Sequence, residues 1–472
     1  MNTRFLFTHM PPGRLFLITA GPGAVGMLAS VLFYMVDGIF IGRYLGETAF
    51  AALNLALPFV IINFSLSDLI GVGSSVPIAI KLGEKKNHTA NNIFTCACVL
   101  TFLTSIGVGA LLYFGGPYLL SLLGAKGELH ALALSYLRVY ALTAPVTTIV
   151  FGADSYLRIC GQIRTSMFLN IGMAVISFVL EFLFLAVFGW GIWAAAFASS
   201  LAMMAGAAVS LYPFWRGYLQ LKFCRPSFSA AMIANIFVCG CPIFLNNVSG
   251  RLTSIMMNFL LLRFGGTTAV SVYGVLMYAD SFITEFLYGM CDALQPAVGY
   301  NWGAGNSRRI SQIERYCYGT AAGVSLISAA VMILFPLKIT QFFVPDGDSG
   351  LLTLAAAAVP IFAVAYLARW VSLATESYMT AVGKYLQASV ISVVTAFAAP
   401  ALILIVLFPL GLDGLWLNYP LTAIVCAVLS FVIIKRFSKD LLAKAKQKHS
   451  LKNKISFKIS IKKSRKQARF FI

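Results

Sequence analysis

The sequence predicts an all-α polytopic membrane protein. It should have twelve transmembrane helices in two six-helix lobes, related by a pseudo-two-fold axis along the membrane normal. Three observations predict this. Charged residues make up 11% of the chain and apolar ones 59%, with a mean hydropathy of +0.85, whereas soluble domains carry about 25% charged residues. Apolar runs long enough for the roughly 20 residues a helix needs to cross the hydrocarbon recur along almost the whole chain. They lack the period-two alternation of barrel strands, so helices are the way the backbone is satisfied in lipid. The two halves also repeat one another at a nearly constant offset.

Taken in order, polar or Gly/Pro breaks place spans near 15–42, 50–78, 92–114, 131–157, 166–188, 191–214, 233–262, 269–299, 316–336, 351–380, 386–409 and 414–435. Loops after even-numbered spans hold Lys81, Lys85, Lys86, Arg158, Arg164, Arg216, Lys222, Arg225, Arg308, Arg309, Arg315 and Lys384. Loops after odd-numbered spans hold only Arg43, Lys126, Arg263 and Lys338. Cytoplasmic loops are the Lys/Arg-rich ones, so both termini are expected in the cytoplasm. The domain reading follows: 1–14 a cytoplasmic N-terminus, 15–214 one lobe, 215–230 a cytoplasmic linker, 231–436 the second lobe, and 437–472 a basic cytoplasmic tail. The run broken by "GPG" at 21–23 lacks a small-x-small cleavage site and reads as a first span rather than a removed signal.

The repeat is an ordered series. Pro22 and Pro242, Gly46 and Gly266, and Gly83 and Gly303 all differ by 220. "DSYLRICG" ending at Gly161 returns as "ESYMTAVG" ending at Gly383, a shift of 222, and "GIW" at 191–193 as "GLW" at 414–416. An even number of spans per unit makes the copies parallel repeats about an axis along the normal. That architecture suits alternating access to a cavity between two rocking lobes.

Several function classes are excluded or disfavoured. The net charge is +19, but 14 Lys and Arg against one acid, Asp440, lie between Lys435 and Ile472. The basic character therefore belongs to the tail and not to a nucleic-acid surface. The tail reads as a solvated end or, with Ile455, Phe457, Ile459, Ile461, Phe470 and Phe471 interleaved, as a contact to anionic lipid. The nine cysteines form no CxxC and no cluster with the four histidines, so neither a disulfide framework nor a metal site is readable. An enzyme is disfavoured because HExxH, DDxxD and a well-placed GxSxG are missing. No cofactor is expected, and the chain is expected to work as a monomer.

Charges inside spans mark function. The acids are Asp37, Asp68, Asp154, Glu181, Asp280, Glu285, Asp292 and Glu376; the bases are Arg138, Arg251 and Arg369. Asp37 ("FYMVDGIFIG") and Glu181 ("SFVLEFLFL") lie in apolar surroundings with no cation within a helical turn. Burial and a neighbouring carboxylate both favour the protonated form of an acid, so such a pair can exchange a proton. With added oxygens it can instead hold a hard cation such as Na⁺, or it can simply fix helix register. Asp154 and Arg158 are spaced for a local ion pair. Glu376, the repeat partner of Asp154, lacks that Arg, and Arg369 two turns earlier is a possible partner. Glu285 and Asp292 share one face of the eighth span, either lining a cavity that attracts cationic solutes or held by Arg251.

These residues resemble a known family over about residues 15–436. "VDGIFIGRYLG" (36–46), "LRICGQIRTSM" (157–167), "GWGIWAAAFAS" (189–199), "LLLRFGG" (260–266), "LQPAVGYNWGAGN" (294–306) and "GLDGLW" (411–416) stand in the order and spacing of multidrug and toxic compound extrusion (MATE) transporters, nearest the bacterial DinF/MepA-like branch. The resemblance implies a two-lobed antiporter of the bacterial inner membrane that exports amphipathic, often cationic, organic compounds against H⁺ or Na⁺. It implies a cation-coupling cluster in the N-terminal lobe: the family's first-helix Asp falls on Asp37 and its fifth-helix Asp on Glu181. Its Asn one turn before the latter falls on Ser177, its sixth-helix Thr on Ser199, and its Tyr-Asn pair on Phe33-Tyr34. Gln295, Pro296 and Asn301 are kept in "QPAVGYN"; Gln295 and Asn301 join Glu285, Asp292 and Glu376 as candidates for the substrate cavity. Alternatives are a flippase for a lipid-linked sugar, which the acidic balance inside the spans disfavours, and a membrane receptor or enzyme.

Overall fold

A computed structural model describes residues 3–343 and 349–468, with the side chains of Tyr34, Phe343, Ser349 and 440–468 outside the description. Most of the basic tail's side chains thus lie outside the described residues. Every regular element among the described residues is helical. The first six spans are Pro12–Leu45, Glu47–Gly83, Asn87–Leu122, Gly127–Ile159, Ile163–Val187 and Ile192–Trp215. An extended linker follows, tied to the third span: Asn92 bonds both the N–H and the carbonyl of Ser227 (2.8 and 3.0 Å), and Thr95 accepts from the N–H of Cys224 (3.1 Å).

The continuous helical stretch Ala230–Gly303 has 74 residues. At 1.5 Å per residue it would run about 110 Å, against roughly 30 Å of hydrocarbon. It is two spans that turn at Gly266, whose backbone (φ 65°, ψ −161°) leaves the helix. Ser307–Leu334 is the ninth span, and Gly350–Ala363 with Tyr366–Ala381, bent by 49°, is the tenth. The 55 residues Tyr385–Lys439 hold the last two, which turn at the 3₁₀ segment Phe408–Leu410 and Gly411 (φ 57°). Divided at these turns, the described residues form twelve spans. The helices exceed the sequence-based ranges by several residues at most ends, because polar residues there continue the helical turns.

The halves meet about a pseudo-two-fold axis. Gly46 turns the corner between the first two spans at φ 83°, ψ −176°, close to the conformation of its repeat mate Gly266. A left-handed φ of this kind is open to glycine at no steric cost. At the end bearing the termini, a Cβ on Gly83 would sit 2.1 Å from the carbonyl oxygen of Tyr300, and one on Gly303 would sit 2.1 Å from that of Ile80. Ile80 and Tyr300 are themselves 220 apart, so each side of the contact repeats the other. The segment ahead of the first span is packed at this same end: helix Thr3–Thr8 buries Thr3, Leu6 and Phe7.

Two proline sites show how the chain handles lost donors. Pro22 lies inside the first span, which runs on unbroken, as lipid-embedded helices tolerate. Pro400 offers no N–H to the carbonyl of Ala396, four residues earlier, beside the π-helical turn Val394–Ala398; Thr253 of the seventh span donates to that carbonyl instead.

Candidate ion-coupling site and central cavity

The first, fourth, fifth and sixth spans converge on one polar cluster inside the N-terminal lobe. Ser177 and Ser199 hydroxyls lie 2.9 and 3.1 Å from Glu181 Oε1 and 2.9 Å from each other. Tyr136 donates its hydroxyl to Asp37 Oδ2. One turn on, Tyr140 packs against Tyr136, ring centroids 5.2 Å apart. Asp37 and Glu181 are near enough for their charges to interact. Glu181, Ser177 and Ser199 are 0% exposed and Asp37 5%. Among the described residues, Asp37 Oδ1 and Glu181 Oε2 have no hydrogen-bond partner and neither acid forms an ion pair.

A buried carboxylate with a bare oxygen costs several kcal/mol unless a positive charge joins it. The donors available are all oxygens, the kind a hard cation takes. No group of three or more His, Cys, Asp or Glu is arranged for a metal among the described residues, so a cation such as Na⁺ would draw on the Ser and Tyr hydroxyls beside the two acids.

The structure therefore brings Asp37, Glu181, Ser177 and Ser199 together. Tyr34 has its side chain outside the described residues. Tyr136 and Tyr140 escaped the sequence reading. The available signal was two tyrosines one turn apart in "SYLRVYAL", sharing a helix face. The repeat mates of Asp37, Tyr136 and Tyr140 are Met257, Ala358 and Phe362, all buried in one apolar cluster of the C-terminal lobe.

Between the lobes lies a cavity of about 1930 Å³, reaching from Arg43, Glu47 and Phe50 at the first corner to Ala79 and Arg158 near the closed end. Glu285, Asp292 and Gln295 line it, as do Asp68, Asp280, Tyr288 and Asn246; Asp37 and Glu181 stand behind its wall. Glu376 is set back from it too, accepting from Ser392 (2.6 Å), Asn246 (3.4 Å) and Tyr288 (3.5 Å). Asp292 accepts from Gln295 (2.6 Å) and Ser377 (2.8 Å). Asn301 does not line the cavity. It is wholly buried and donates to the carbonyls of Phe7 and Ala297, because its helix turns that face toward the N-terminal segment.

Two possible pairings do not form among the described residues. Arg369 pairs with Asp280 at 2.7 Å and not with Glu376. Asp280 offers an oxygen across the lobe, oriented by the Tyr366 hydroxyl (2.6 Å), while the Glu376 oxygens are already engaged. Arg251 forms no ion pair with Glu285 or Asp292 among the described residues, its residue being exposed. Asp154 and Arg158 do pair, at 2.6 Å, with Ser166 and Asn170 completing the set. Since Asp154 and Asp280 are neutralised, the cavity keeps Asp68, Glu285 and Asp292, with Glu47 at the first corner, as acids without an ion-paired base among the described residues.

Arg369→Met should orphan Asp280 and lower stability by about 3 kcal/mol, as breaking a buried pair does. Thermal unfolding in detergent checks this, and Asp280→Leu added to it should recover most of the loss.

The family model described as MatE matches the chain twice, over residues 22–183 and 242–405, the two halves of the repeat. A multidrug export protein MepA of Staphylococcus saprophyticus is 21% identical over 418 residues, covering 88% of this chain and 91% of its own. The MepA of Staphylococcus aureus is 22% identical over 438 residues, covering 91% and 95%. Among solved structures, an outward-facing multidrug resistance MATE family transporter superposes with a TM-score of 0.87 at 20% identity, over 93% of this chain and 98% of that one. With the repeat, the twelve spans and the family match in agreement over well over half its length, this chain belongs to the MatE family of membrane transporters.

Proposed function

We propose that this protein is a secondary antiporter that exports amphipathic, cationic organic compounds by alternating access, driven by H⁺ or Na⁺ entering at Asp37 and Glu181. The observation that carries the reading is the buried pair of acids, each with an oxygen that no described residue satisfies. The relatives' printed role in multidrug export supports the substrate class, as do Asp68, Glu285 and Asp292 on the cavity wall. A lipid-linked pyrophosphate would meet these acids as like charges, which disfavours a flippase.

In the proposed cycle the termini lie in the cytoplasm of a bacterial inner membrane, as the Lys/Arg bias indicates. The cavity then faces outward in this conformation, closed beneath by the Gly83–Tyr300 and Gly303–Ile80 contacts. A proton or Na⁺ reaches Asp37 and Glu181, supplies the missing positive charge and repacks the first, fourth and fifth spans. The organic cation then loses affinity and leaves outward. Ser177, Ser199, Tyr136 and Tyr140 orient the two carboxyl groups; Gln295 holds Asp292. The protein acts as a monomer in the bilayer, with the basic tail near anionic lipid.

The test is efflux of a cationic dye from vesicles containing the purified chain, with ΔpH and ΔNa⁺ imposed separately. One of the two gradients should drive dye movement against its own gradient. Dye movement indifferent to both would refute the antiport reading.

A further inference from the structure

The segment ahead of the first span bridges the two lobes at the closed end. Thr3 donates to the carbonyl of Cys160 (3.0 Å) at the end of the fourth span, and Leu6 lies against Gly161, where an added Cβ would come within 3.0 Å of its Cδ2. Phe7 is wholly buried, and its ring tilts against Tyr300 with centroids 6.0 Å apart. The Phe7 carbonyl accepts from Asn301 Nδ2 (2.9 Å) and Arg309 Nε (2.7 Å), and the Met10 carbonyl accepts from Arg309 Nη2. Cys160 and Gly161 belong to the N-terminal half of the chain; Tyr300, Asn301 and Arg309 belong to the C-terminal half.

The "MPP" at 10–12 explains why those carbonyls are free. In a continuing helix the Phe7 carbonyl would take the N–H of residue 11, which is a proline and has none. Met10 precedes that proline and is turned away from helical backbone. Arg309 is only 8% exposed and pairs with no carboxylate among the described residues. Its guanidinium hydrogens are directed at the two carbonyls.

We propose that residues 3–10 are a latch holding the lobes together at the end that carries the termini, with Arg309 as its catch on the C-terminal lobe. The inference rests on alternating access but not on which ion drives it. The short helix joins the first span directly through Pro11 and Pro12, so it moves with the N-terminal lobe. When the lobes part at this end, the contacts to Tyr300, Asn301 and Arg309 are the ones that break. A buried guanidinium and two carbonyls then lose their partners together, which biases the protein toward the closed form.

His88 and Arg308 are exposed and 220 apart, equivalent positions in the two halves. Spin labels at His88→Cys and Arg308→Cys on the full chain in lipid nanodiscs report separation at this end by pulsed electron spin resonance, with the parent chain giving the native-cysteine background. Arg309→Ala should raise the ratio of separated to closed forms about tenfold or more, the loss of charge-assisted hydrogen bonds. Deleting residues 2–9 should give the same shift, and combining the two should add nothing. Arg309→Lys, which keeps the charge but not the fork, should fall between. Distances unchanged in both the deletion and Arg309→Ala would overturn the latch. If Arg309→Ala does not fold, the deletion decides alone, because it leaves the C-terminal lobe intact. Failure of ion coupling at Asp37 would not alter these distances, so the two readings fail separately.

Discussion

Asp37→Asn should still bind a cationic dye but no longer let a gradient drive its export. The amide matches the carboxylate in shape and can accept the Tyr136 hydroxyl, yet it can neither take up a proton nor neutralise a cation. Asp37 is outside the cavity wall, so binding of the dye should stay within a few-fold of the parent. Each elementary charge moved across 100 mV is worth about 2.3 kcal/mol, an accumulation ratio of about fifty. The variant should lose that factor in dye accumulated by inside-out vesicles and behave as a passive carrier. Glu181→Gln should do the same. Tyr136→Phe should give a smaller defect, because it removes a donor and keeps the acid. Gradient-driven accumulation by Asp37→Asn at the parent level would remove Asp37 from the coupling step.

Gly83→Ala should abolish transport by a different route. Its Cβ would stand 2.1 Å from the Tyr300 carbonyl oxygen and 3.1 Å from the Ala304 nitrogen. Both are backbone atoms, one inside and one at the end of the helix Gln295–Gly303, and cannot rotate aside. The lobes could then no longer seat at the end bearing the termini, and the variant should rest with that end apart. Gly303→Ala should behave alike, meeting the Ile80 carbonyl at the same distance. Gly46→Ala is the control: its φ of +83° makes it strained, but nothing lies within 4 Å of the new Cβ. It should cost about 1–3 kcal/mol of stability and leave the cycle running. Inter-lobe distances together with efflux separate the outcomes; a Gly83→Ala protein that closes and transports normally would show that the contact gives way.

Much of the fold was legible in the sequence because lipid imposes simple rules on length and charge. The 220-residue offset of Pro22, Gly46 and Gly83 could be read for the same reason: corners and close approaches admit few residue types. The helix boundaries were less legible, since Gly46 alone suffices to turn one span into the next. At the site, Asp37 and Glu181 stood out as charges without local partners, while Ser177 and Ser199 were implied only by the family resemblance. Tyr136 and Tyr140 were not legible, because aromatic residues in a membrane span have many possible roles. The partner of Arg369 was missed because helical spacing ranks neighbours on one helix, whereas Asp280 reaches it from another. The role of Asn301 and Arg309 was hidden for a like reason: it depends on carbonyls almost 300 residues away.

The apolar replacement of the polar cluster by Met257, Ala358 and Phe362 in the second lobe has a mechanical consequence. A symmetric body loaded symmetrically would flex evenly about its axis. Around those three positions the second lobe is apolar, whereas the matching place in the first holds two buried acids, each with an oxygen unsatisfied among the described residues. Under the proposed coupling, the force of an arriving ion is thus applied off-centre, to one arm of the pair. The lopsided push then becomes a turning moment across the seam between them.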